Sequence, residues 1–408
     1  MDGRQERGLQ IAALAKLERN KLGWKVPSQS GNGTYIVNLD HGTPFCTCPD
    51  FENGNKCKHI YAVEFTIQRE TKADGTTIET KSMRITYGQE WHEYNQAQTH
   101  EAERFVDLLR DLCNGIPQPE QRIGRPRLPL SDVVFSAALK VYSGMSGRRA
   151  ISDLKECASR GYVTKAPHYN STSNYLDNPA LTPLLKALIE ESAKPLKTVE
   201  TDFAVDSSGF ATTTYSRWFD HKYGKERTKQ TWVKTHLMCG VKTNVVTSVE
   251  ASPFETADAP QLPALLNTTA QTFAVREVSG DKAYSSKRNL TAIDSVGATP
   301  YIPFKSYCKG TQRNGDFNSL WDKMWHFYEF NRAAFLERYH KRSNAETTFS
   351  MIKAKFGGSV RSKSPVAQVN EVLCKVLCHN ICVLIQSIYE FGLVPTFWAN
   401  HCLIQQET

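Results

Sequence analysis

The sequence predicts an α/β fold in which a mixed sheet flanked by helices occupies the second half of the chain. The first observation is a change of pattern near residue 196, where helical periodicity gives way to β-branched and apolar runs. The strand candidates there are 198–206, 210–217 and 232–241. The second observation is the order that follows: a helical pattern at 259–273, an apolar stretch ending at Gly280, and a further strand candidate at 298–304. Three strands, a helix and another strand predict a mixed sheet covered by helices.

A short N-terminal segment carries four metal-ligating side chains at close spacing. Cys46, Cys48, Cys57 and His59 form the pattern C-x-C-x8-C-x-H. Three thiolates and an imidazole make a closed set of the kind that holds a structural Zn²⁺. The flanking residues predict a strand at 34–39 and a helix from His59 onward, after a basic helix from Arg4 to about Lys21. We expect residues 1–70 to be a small zinc-binding domain whose metal supports folding.

The segment between this domain and the sheet is predicted to be helical. A polar stretch and then a helical pattern from about Glu90 to Cys113 define a helical connector at 71–121. Prolines and glycines concentrated in 114–130 mark its end, because such a stretch fits neither a helix nor a central strand. Residues 130–195 return to helical patterns. They suit either a helix-turn-helix reader of DNA or a purely structural layer.

A basic sequence lies at that boundary. Its arginines are Arg122, Arg125 and Arg127, the last two on either side of Pro126. An extended Arg-Pro-Arg segment can enter the narrow minor groove of DNA, so these arginines are predicted to bind DNA as a minimal AT-hook. An ordinary basic linker is the alternative. We interpret 122–195 as a basic linker and helical DNA-binding region.

Three acidic residues occupy positions typical of a magnesium site. Asp206 lies near the end of a strand candidate, Asp281 directly follows the apolar stretch that ends at Gly280, and Glu346 falls in a predicted helix. Two strand-end Asp residues and one helix Glu provide hard oxygen ligands for Mg²⁺ (or Mn²⁺) and leave positions open for phosphate oxygens.

The predicted helix around Glu346 also presents cations and a phenol. Tyr339, Arg342, Glu346 and Lys353 follow the spacing Y-x2-R-x3-E-x6-K. In a single helix, residues at this spacing share one face. Arg342 and Lys353 suit phosphate oxygens, and Tyr339 can orient a nucleic-acid backbone. All three are therefore predicted to contact phosphate.

These residues resemble a known family. The two Asp residues and the Y-R-E-K string resemble insertion-sequence DDE transposases, which have an RNase H-like core, over roughly residues 120–390. The N-terminal ligand pattern resembles the SWIM zinc finger. The resemblance implies an RNase H-like catalytic domain at 196–408, with a C-terminal helix and two Mg²⁺ ions held by Asp206, Asp281 and Glu346. Residues 282–345, which number 64, leave little room for the large β-insertion that some relatives carry before the Glu.

The resemblance also implies an activity and partners. Such enzymes cut and rejoin DNA by metal-assisted phosphoryl transfer, without a covalent enzyme–DNA intermediate. The implied partners are double-stranded DNA, as transposon ends and target, and a second copy of the chain in an active homodimer. Two alternatives stay open: an RNase H-like nuclease that does not join DNA, and a transposase-derived DNA-binding protein.

Composition is consistent with a globular intracellular protein. Residues 281–363 contain 15 Lys and Arg against 7 Asp and Glu, so this stretch carries the whole formal surplus of +8. A basic groove of this kind attracts phosphates. No run approaches 18 uninterrupted apolar residues, and the start lacks a signal-peptide pattern. We therefore expect no membrane partner and a cytoplasmic location in a prokaryotic cell, at the nucleoid when bound to DNA.

Overall fold

The computed structural model describes most of the chain, with gaps. The described residues are 3–15, 17–20, 22–28, 33–39, 44–71, 77–81, 90–121, 123–124, 126–212, 232–252, 256–305, 307–308 and 319–398. The chain divides into two compact units, residues 1–86 and 87–408.

The N-terminal unit is a small antiparallel sheet with short helices. Its strands are β1 (Glu18–Asn20), β2 (Gly23–Pro27), β3 (Thr34–Asn38), β4 (Phe45–Cys46), β5 (Ile67–Thr71) and β6 (Thr77–Lys81). Its helices are α1 (Gly3–Leu14), α2 (Pro49–Glu52) and α3 (Lys58–Thr66). Strands β1 to β4 pair in chain order, and β5 and β6 form a separate hairpin. A core that includes Ile11, Trp24, Val37 and Ile60 lies between sheet and helices.

The helix predicted from Arg4 to about Lys21 is shorter than expected. It ends at Leu14, and Glu18–Asn20 is an edge strand paired with Gly23–Lys25. The Asn20 side chain accepts a hydrogen bond from the Leu22 N–H at 2.9 Å, and Gly23 has a φ of +130°. This local turn chemistry closes a tight hairpin, and a hairpin overrides the helical pattern.

The second unit begins with a helical layer. Its helices are α4 (Trp91–Thr99), α5 (Glu101–Asn114), α6 (Leu130–Tyr142), α7 (Ile151–Ser159), α8 (Tyr169–Leu176) and α9 (Leu181–Ala193). The predicted helix from Glu90 to Cys113 is thus two helices that meet at His100. The apolar stripe of α5 is buried as the pattern predicted, at Phe105, Leu108, Leu109 and Leu112.

In the part of the chain that the structure describes, the central sheet has five strands in the spatial order β11–β10–β7–β8–β9. They are β7 (Asp202–Ala211), β8 (Trp232–Gly240), β9 (Val246–Ser252), β10 (Glu277–Gly280) and β11 (Thr299–Tyr301). Strands β7, β8 and β9 pair antiparallel, whereas β10 is parallel to both β7 and β11. The mixed sheet flanked by helices is therefore confirmed.

Two strand predictions needed correction. The candidates 198–206 and 210–217 contribute to one strand, β7, which runs through Gly209; residues 213–217 lie outside the described residues. The strand continues through Gly209, which pairs with Lys234, and the missing side chain leaves room for the Trp232 ring, which a Cβ would approach to 3.1 Å. Strand β9 was not predicted. It follows a turn in which Asn244 adopts a φ of +64°, a conformation that Asn tolerates.

The remaining helices cover the sheet. They are α10 (Leu262–Ala270), α11 (Lys287–Ser295), α12 (Leu320–Phe330), α13 (Arg332–Tyr339), α14 (Ser343–Phe356) and α15 (Pro365–Phe391). Helix α15 is long and apolar enough to cross a membrane by length and composition, but 78% of its most apolar window is buried inside the fold. It therefore has the character of a core helix.

Candidate functional site

Asp206 and Asp281 lie side by side on neighbouring parallel strands. Asp206 is in β7, and Asp281 directly follows the last residue of β10. Gly280 is paired with Val205, so one further step along both strands brings the two Asp residues opposite each other. Adjacent strands are about 4.8 Å apart, which puts both carboxylates within reach of a shared cation. The Asp281 carboxylate also accepts a hydrogen bond from the Lys282 N–H at 2.6 Å, which caps a short 3₁₀ turn.

Glu346 is connected to Asp206 by ion pairs that both residues form with Arg342. A 3₁₀ turn at His340–Arg342 separates α13 from α14, so the predicted single helix through Tyr339, Arg342 and Glu346 is interrupted. The Arg342 guanidinium lies 3.5 Å from Asp206 Oδ2 and 2.6 Å from Glu346 Oε1. Arg342 therefore bridges the strand carboxylate and the helix carboxylate.

Lys353 lies one step farther along the same strand face. Its Nζ donates to Ser208 Oγ at 2.6 Å, and Ser208, two residues beyond Asp206, points to the same side of β7. Helix α14 thus runs along β7 with Arg342 and Glu346 at one end and Lys353 at the other. Burial lowers the pKa of the Lys353 ammonium. The role of Ser208 was not predicted, although its i+2 spacing from Asp206 is a usable sequence signal.

The electrostatics of the site centre on Asp206, whose side chain is only 17% exposed. Burial, aided by the negative charges of Glu346 and Asp281, raises its pKa to about 6. The Ser207 N–H, 2.8 Å from Asp206 Oδ1, and the charge of Arg342 oppose this rise. Burial alone would lower the pKa of Arg342, but the neighbouring Tyr339, Glu346 and Asp206 raise it. Arg342 is therefore a permanent cation that forms ion pairs with the carboxylates of Asp206 and Glu346.

Tyr339 borders a cleft beside Asp281. Its ring lies 5.8 Å from the Arg342 guanidinium, and burial raises the pKa of its phenol, so the hydroxyl stays protonated at neutral pH. The cleft has a volume of about 490 Å³. Its charged and aromatic lining includes Asp281, Lys282, Phe304, Lys305, Tyr328, Arg332 and Tyr339. Cations and aromatic rings next to a carboxylate suit a segment of nucleic-acid backbone and its bases.

The three carboxylates have the donor chemistry that a divalent cation prefers. The donor set of Asp206, Asp281 and Glu346 is entirely oxygen, which is the preference of Mg²⁺ and Mn²⁺. Burial is the main cause of the raised pKa of Asp206, and a bound cation would stabilise the ionised form of this carboxyl.

The N-terminal ligands form a much tighter cluster. Within the described residues, Cys46, Cys48, Cys57 and His59 are the one group of three or more potential metal ligands whose ligand atoms all lie within 4.8 Å of one another. All four are buried. Cys46 is in β4, Cys48 caps α2, Cys57 directly precedes α3, and His59 lies in its first turn. The strand predicted at 34–39 and the helix predicted from His59 are therefore present, as β3 and α3.

The chemistry of this cluster fits zinc. Hydrogen bonding from the Cys46 thiol lowers the pKa of Cys57 to about 4, and the same bond raises the pKa of Cys46. Cys57 is thus poised as a thiolate, the form that binds metal. Nε2 of His59 is buried without a hydrogen-bond partner among the described residues. A Zn²⁺ ion held by these four residues would satisfy the cluster.

The predicted AT-hook is only partly described. Arg122 and Arg125 lie outside the described residues. Arg127 is exposed, and its backbone N–H donates to the Gln121 side chain at 3.1 Å. Its side chain is therefore accessible to a partner, and its DNA-binding role stays a prediction.

Comparison with known families agrees with both resemblances. Residues 197–381 match the family model of the transposase DDE domain, a range that includes Asp206, Asp281, Glu346 and the whole five-stranded sheet. Residues 35–68 match the SWIM zinc finger and include all four Cys and His ligands.

Proposed function

We propose that this chain, which carries an N-terminal SWIM zinc finger and a transposase DDE domain, cleaves DNA at transposon ends and joins those ends to a target. One observation carries the proposal: Asp206 and Asp281 are neighbours on parallel strands, and Arg342 links Asp206 to Glu346 on the adjoining helix. This constellation serves phosphoryl transfer, in which positioning and charge stabilisation supply most of the rate enhancement.

The carboxylates of Asp206, Asp281 and Glu346 would hold the Mg²⁺ (or Mn²⁺) ions. Cations bound there would activate the attacking hydroxyl and neutralise the leaving oxygen. The protein would hold these ligands in fixed positions. Strand pairing fixes Asp206 and Asp281, and a helix packed against the same strand fixes Glu346.

Arg342 and Lys353 would stabilise negative charge on the DNA phosphates. Arg342 presents a planar donor fork that matches phosphate oxygens. Within the described residues, the Lys353 ammonium donates to the neutral Ser208 hydroxyl and lies 5.4 Å from the Phe210 ring, so a phosphate would add an anionic partner that favours its charged form. Tyr339 would orient the strand as a hydrogen-bond donor, since its raised pKa disfavours a phenolate nucleophile. No covalent enzyme–DNA intermediate is needed.

Other parts of the chain would supply DNA affinity. We assign recognition of double-stranded transposon ends to the basic linker and helical region at 122–195, through Arg122, Arg125 and Arg127. A homodimer is the proposed active form, because two transposon ends are processed together. The zinc finger, with Zn²⁺ on its four ligands, would be a folded contact module and not a catalytic one. Such an enzyme would act at the nucleoid, in the cytoplasm of a prokaryotic cell.

A nuclease without joining activity is the second candidate, since the same carboxylates serve both reactions. A strand-transfer assay distinguishes the two. Labelled duplexes carrying the element's ends, identified as inverted repeats that flank the gene, are incubated with the protein, supercoiled plasmid and Mg²⁺. Covalent transfer of label to the plasmid supports a transposase. Nicked plasmid with all label still on the duplex would support the nuclease instead.

A further inference from the structure

A charge network outside the DDE residues attaches the glutamate helix to the sheet. Asp202 begins β7 and Glu277 begins β10, and the two residues are paired directly across the parallel strands. Two carboxylates at paired positions repel each other. Lys341 resolves this repulsion, because its Nζ lies 2.6 Å from Asp202 Oδ2 and 2.6 Å from Glu277 Oε2.

The bridge is largely excluded from water. The side chains of Lys341, Asp202 and Glu277 are 13%, 13% and 10% exposed. Two exposed arginines complete the network: Arg276 forms a two-pronged contact with Asp202 at 2.9 Å, and Arg338 contacts Glu277 at 2.9 Å. Burial alone would lower the pKa of Lys341, but its hydrogen bonds to Asp202 and Glu277 outweigh burial and raise it. Lys341 is therefore a firmly charged tether.

The position of the tether decides what it does. Lys341 lies in the 3₁₀ turn His340–Arg342, between Tyr339 and the residues that approach Asp206. Asp202 and Asp206 are four residues apart and share one face of β7. Two adjacent residues of the turn therefore form ion pairs on the same strand face, Lys341 with Asp202 and Arg342 with Asp206.

We infer that Lys341 is a positioning residue that fixes Arg342 and Glu346 over the strand carboxylates. The inference rests on the proposed function in that the placed residues serve the DDE site. Lys341 contacts neither the scissile phosphate nor the metal in this assignment. It acts by joining the turn to both strands that carry the catalytic Asp residues.

The test uses three variants of the full-length protein. Lys341→Met removes the tether, and Lys186→Met, which breaks a surface ion pair with Glu250 on β9, is the matched control. The triple variant K341M/D202N/E277Q removes the tether together with the acidic pair that the lysine neutralises. The triple variant should therefore regain the thermal stability that K341M loses, but not the tether.

Two readouts separate positioning from stability. Amide hydrogen exchange of a peptide covering 339–349 should be at least tenfold faster in K341M and in the triple variant, and unchanged in K186M. Mn²⁺ affinity, measured by calorimetry, should fall at least fivefold in both K341M and the triple variant. Exchange at the wild-type rate in K341M would overturn the inference, as would Mn²⁺ affinity that recovers in the triple variant along with its melting temperature.

The proposed function fails separately. If the wild-type protein binds Mn²⁺ no better than an Asp206→Asn variant, the metal site is wrong. In that case the hydrogen exchange of peptide 339–349 alone tests the positioning role of Lys341. Faster exchange in K341M supports that role, and unchanged exchange refutes it.

Discussion

At the residue scale, the buried carboxyl of Asp206 sets the behaviour of the site. Its pKa is raised to about 6 by burial and by the charges of Glu346 and Asp281. In the unfolded chain an Asp titrates near pH 4. The folded protein therefore holds this proton more tightly, so its stabilising contribution is complete below about pH 4 and is lost as pH rises through about 6.

An Asp206→Asn substitution should remove this pH dependence. Without added divalent cations, the advantage of the variant over wild type in free energy of unfolding should be roughly 1–3 kcal/mol larger at pH 7.5 than at pH 4.5. The reason is that only the wild type buries a charge at the higher pH. Urea denaturation at the two pH values measures the difference, with exposed Asp294→Asn as the control. An equal difference at both pH values would mean that Asp206 titrates normally.

Arg342 and Lys353 should affect the reaction differently from metal binding. Replacing Arg342 with Gln removes a cation that already pairs with Asp206 and Glu346, so Mn²⁺ affinity should hold or increase. The nicking rate should still fall, by up to about 2–4 kcal/mol in activation free energy, because phosphate charge loses a donor. Lys353→Met should lower the rate and leave Mn²⁺ affinity unchanged. Calorimetry and plasmid nicking measure the two quantities, and equal losses of rate and DNA affinity would make both residues ordinary groove cations.

Candidate site residues could be predicted from the sequence where they belong to a local pattern. Asp281 could be singled out because an apolar strand ends at Gly280, and Cys57 and His59 because ligand spacing is local. The ion pair between Arg342 and Asp206 was not predictable, since the two residues are 136 positions apart and meet only through the packing of a helix on the sheet. The ion pairs of Lys341 with Asp202 and Glu277 were not predicted, for the same reason.

At the element scale, the end of helix α14 depends on two buried charges from α15. Lys375 is 2% exposed and donates to the carbonyls of Phe356, Gly357 and Ser359 at 2.7–2.8 Å. Glu371, one turn earlier, accepts hydrogen bonds from the N–H groups of Arg361 and Ser362. Together they hold the segment that follows the helix bearing Glu346 and Lys353.

Replacing Lys375 with Met should destabilise the protein strongly. The change leaves three carbonyls without their donor, and an unsatisfied buried acceptor typically costs about 1–3 kcal/mol. Chemical denaturation checks this value, with exposed Lys363→Met as the control, for which we expect a change within about 0.5 kcal/mol. A loss under about 1 kcal/mol for Lys375→Met would mean that water replaces the lysine.

Element types were predictable, and their interruptions were not. The apolar periodicity of α5 and the long apolar run of α15 are strong local signals. Strand β9 was missed because the turn before it depends on Asn244 in a left-handed conformation, which no periodicity reveals. The 3₁₀ turn before Glu346 was missed because all the residues of that string are compatible with one continuous helix, and the contacts of Lys341 and Arg342 with β7 accompany the break.

At the scale of the whole molecule, the chain is two units with different sources of stability. The unit at 87–408 has an extensive apolar core, whereas the N-terminal unit has a small one, made of a few buried apolar side chains around its four metal ligands. A small domain commonly relies on a metal for a large share of its stability.

Removal of zinc should therefore unfold one unit alone. We expect one Zn²⁺ per chain by elemental analysis, and none after Cys46→Ser and Cys57→Ser are combined. A strong chelator should abolish hydrogen-exchange protection within residues 1–86 and leave the strands of the central sheet protected. Protection that persists throughout 1–86 in zinc-free protein would contradict the finger assignment without affecting the catalytic proposal.

The central claim is that Asp206, Asp281 and Glu346 act together in metal-dependent DNA cleavage. The most direct test is nicking of supercoiled plasmid in Mg²⁺ by wild type and by three single variants, Asp206→Asn, Asp281→Asn and Glu346→Gln, with DNA affinity measured in parallel. Each variant should lose nicking to background while its DNA affinity stays within about threefold, because phosphate contacts come from other residues. Near-normal nicking by any one of the three would contradict the account.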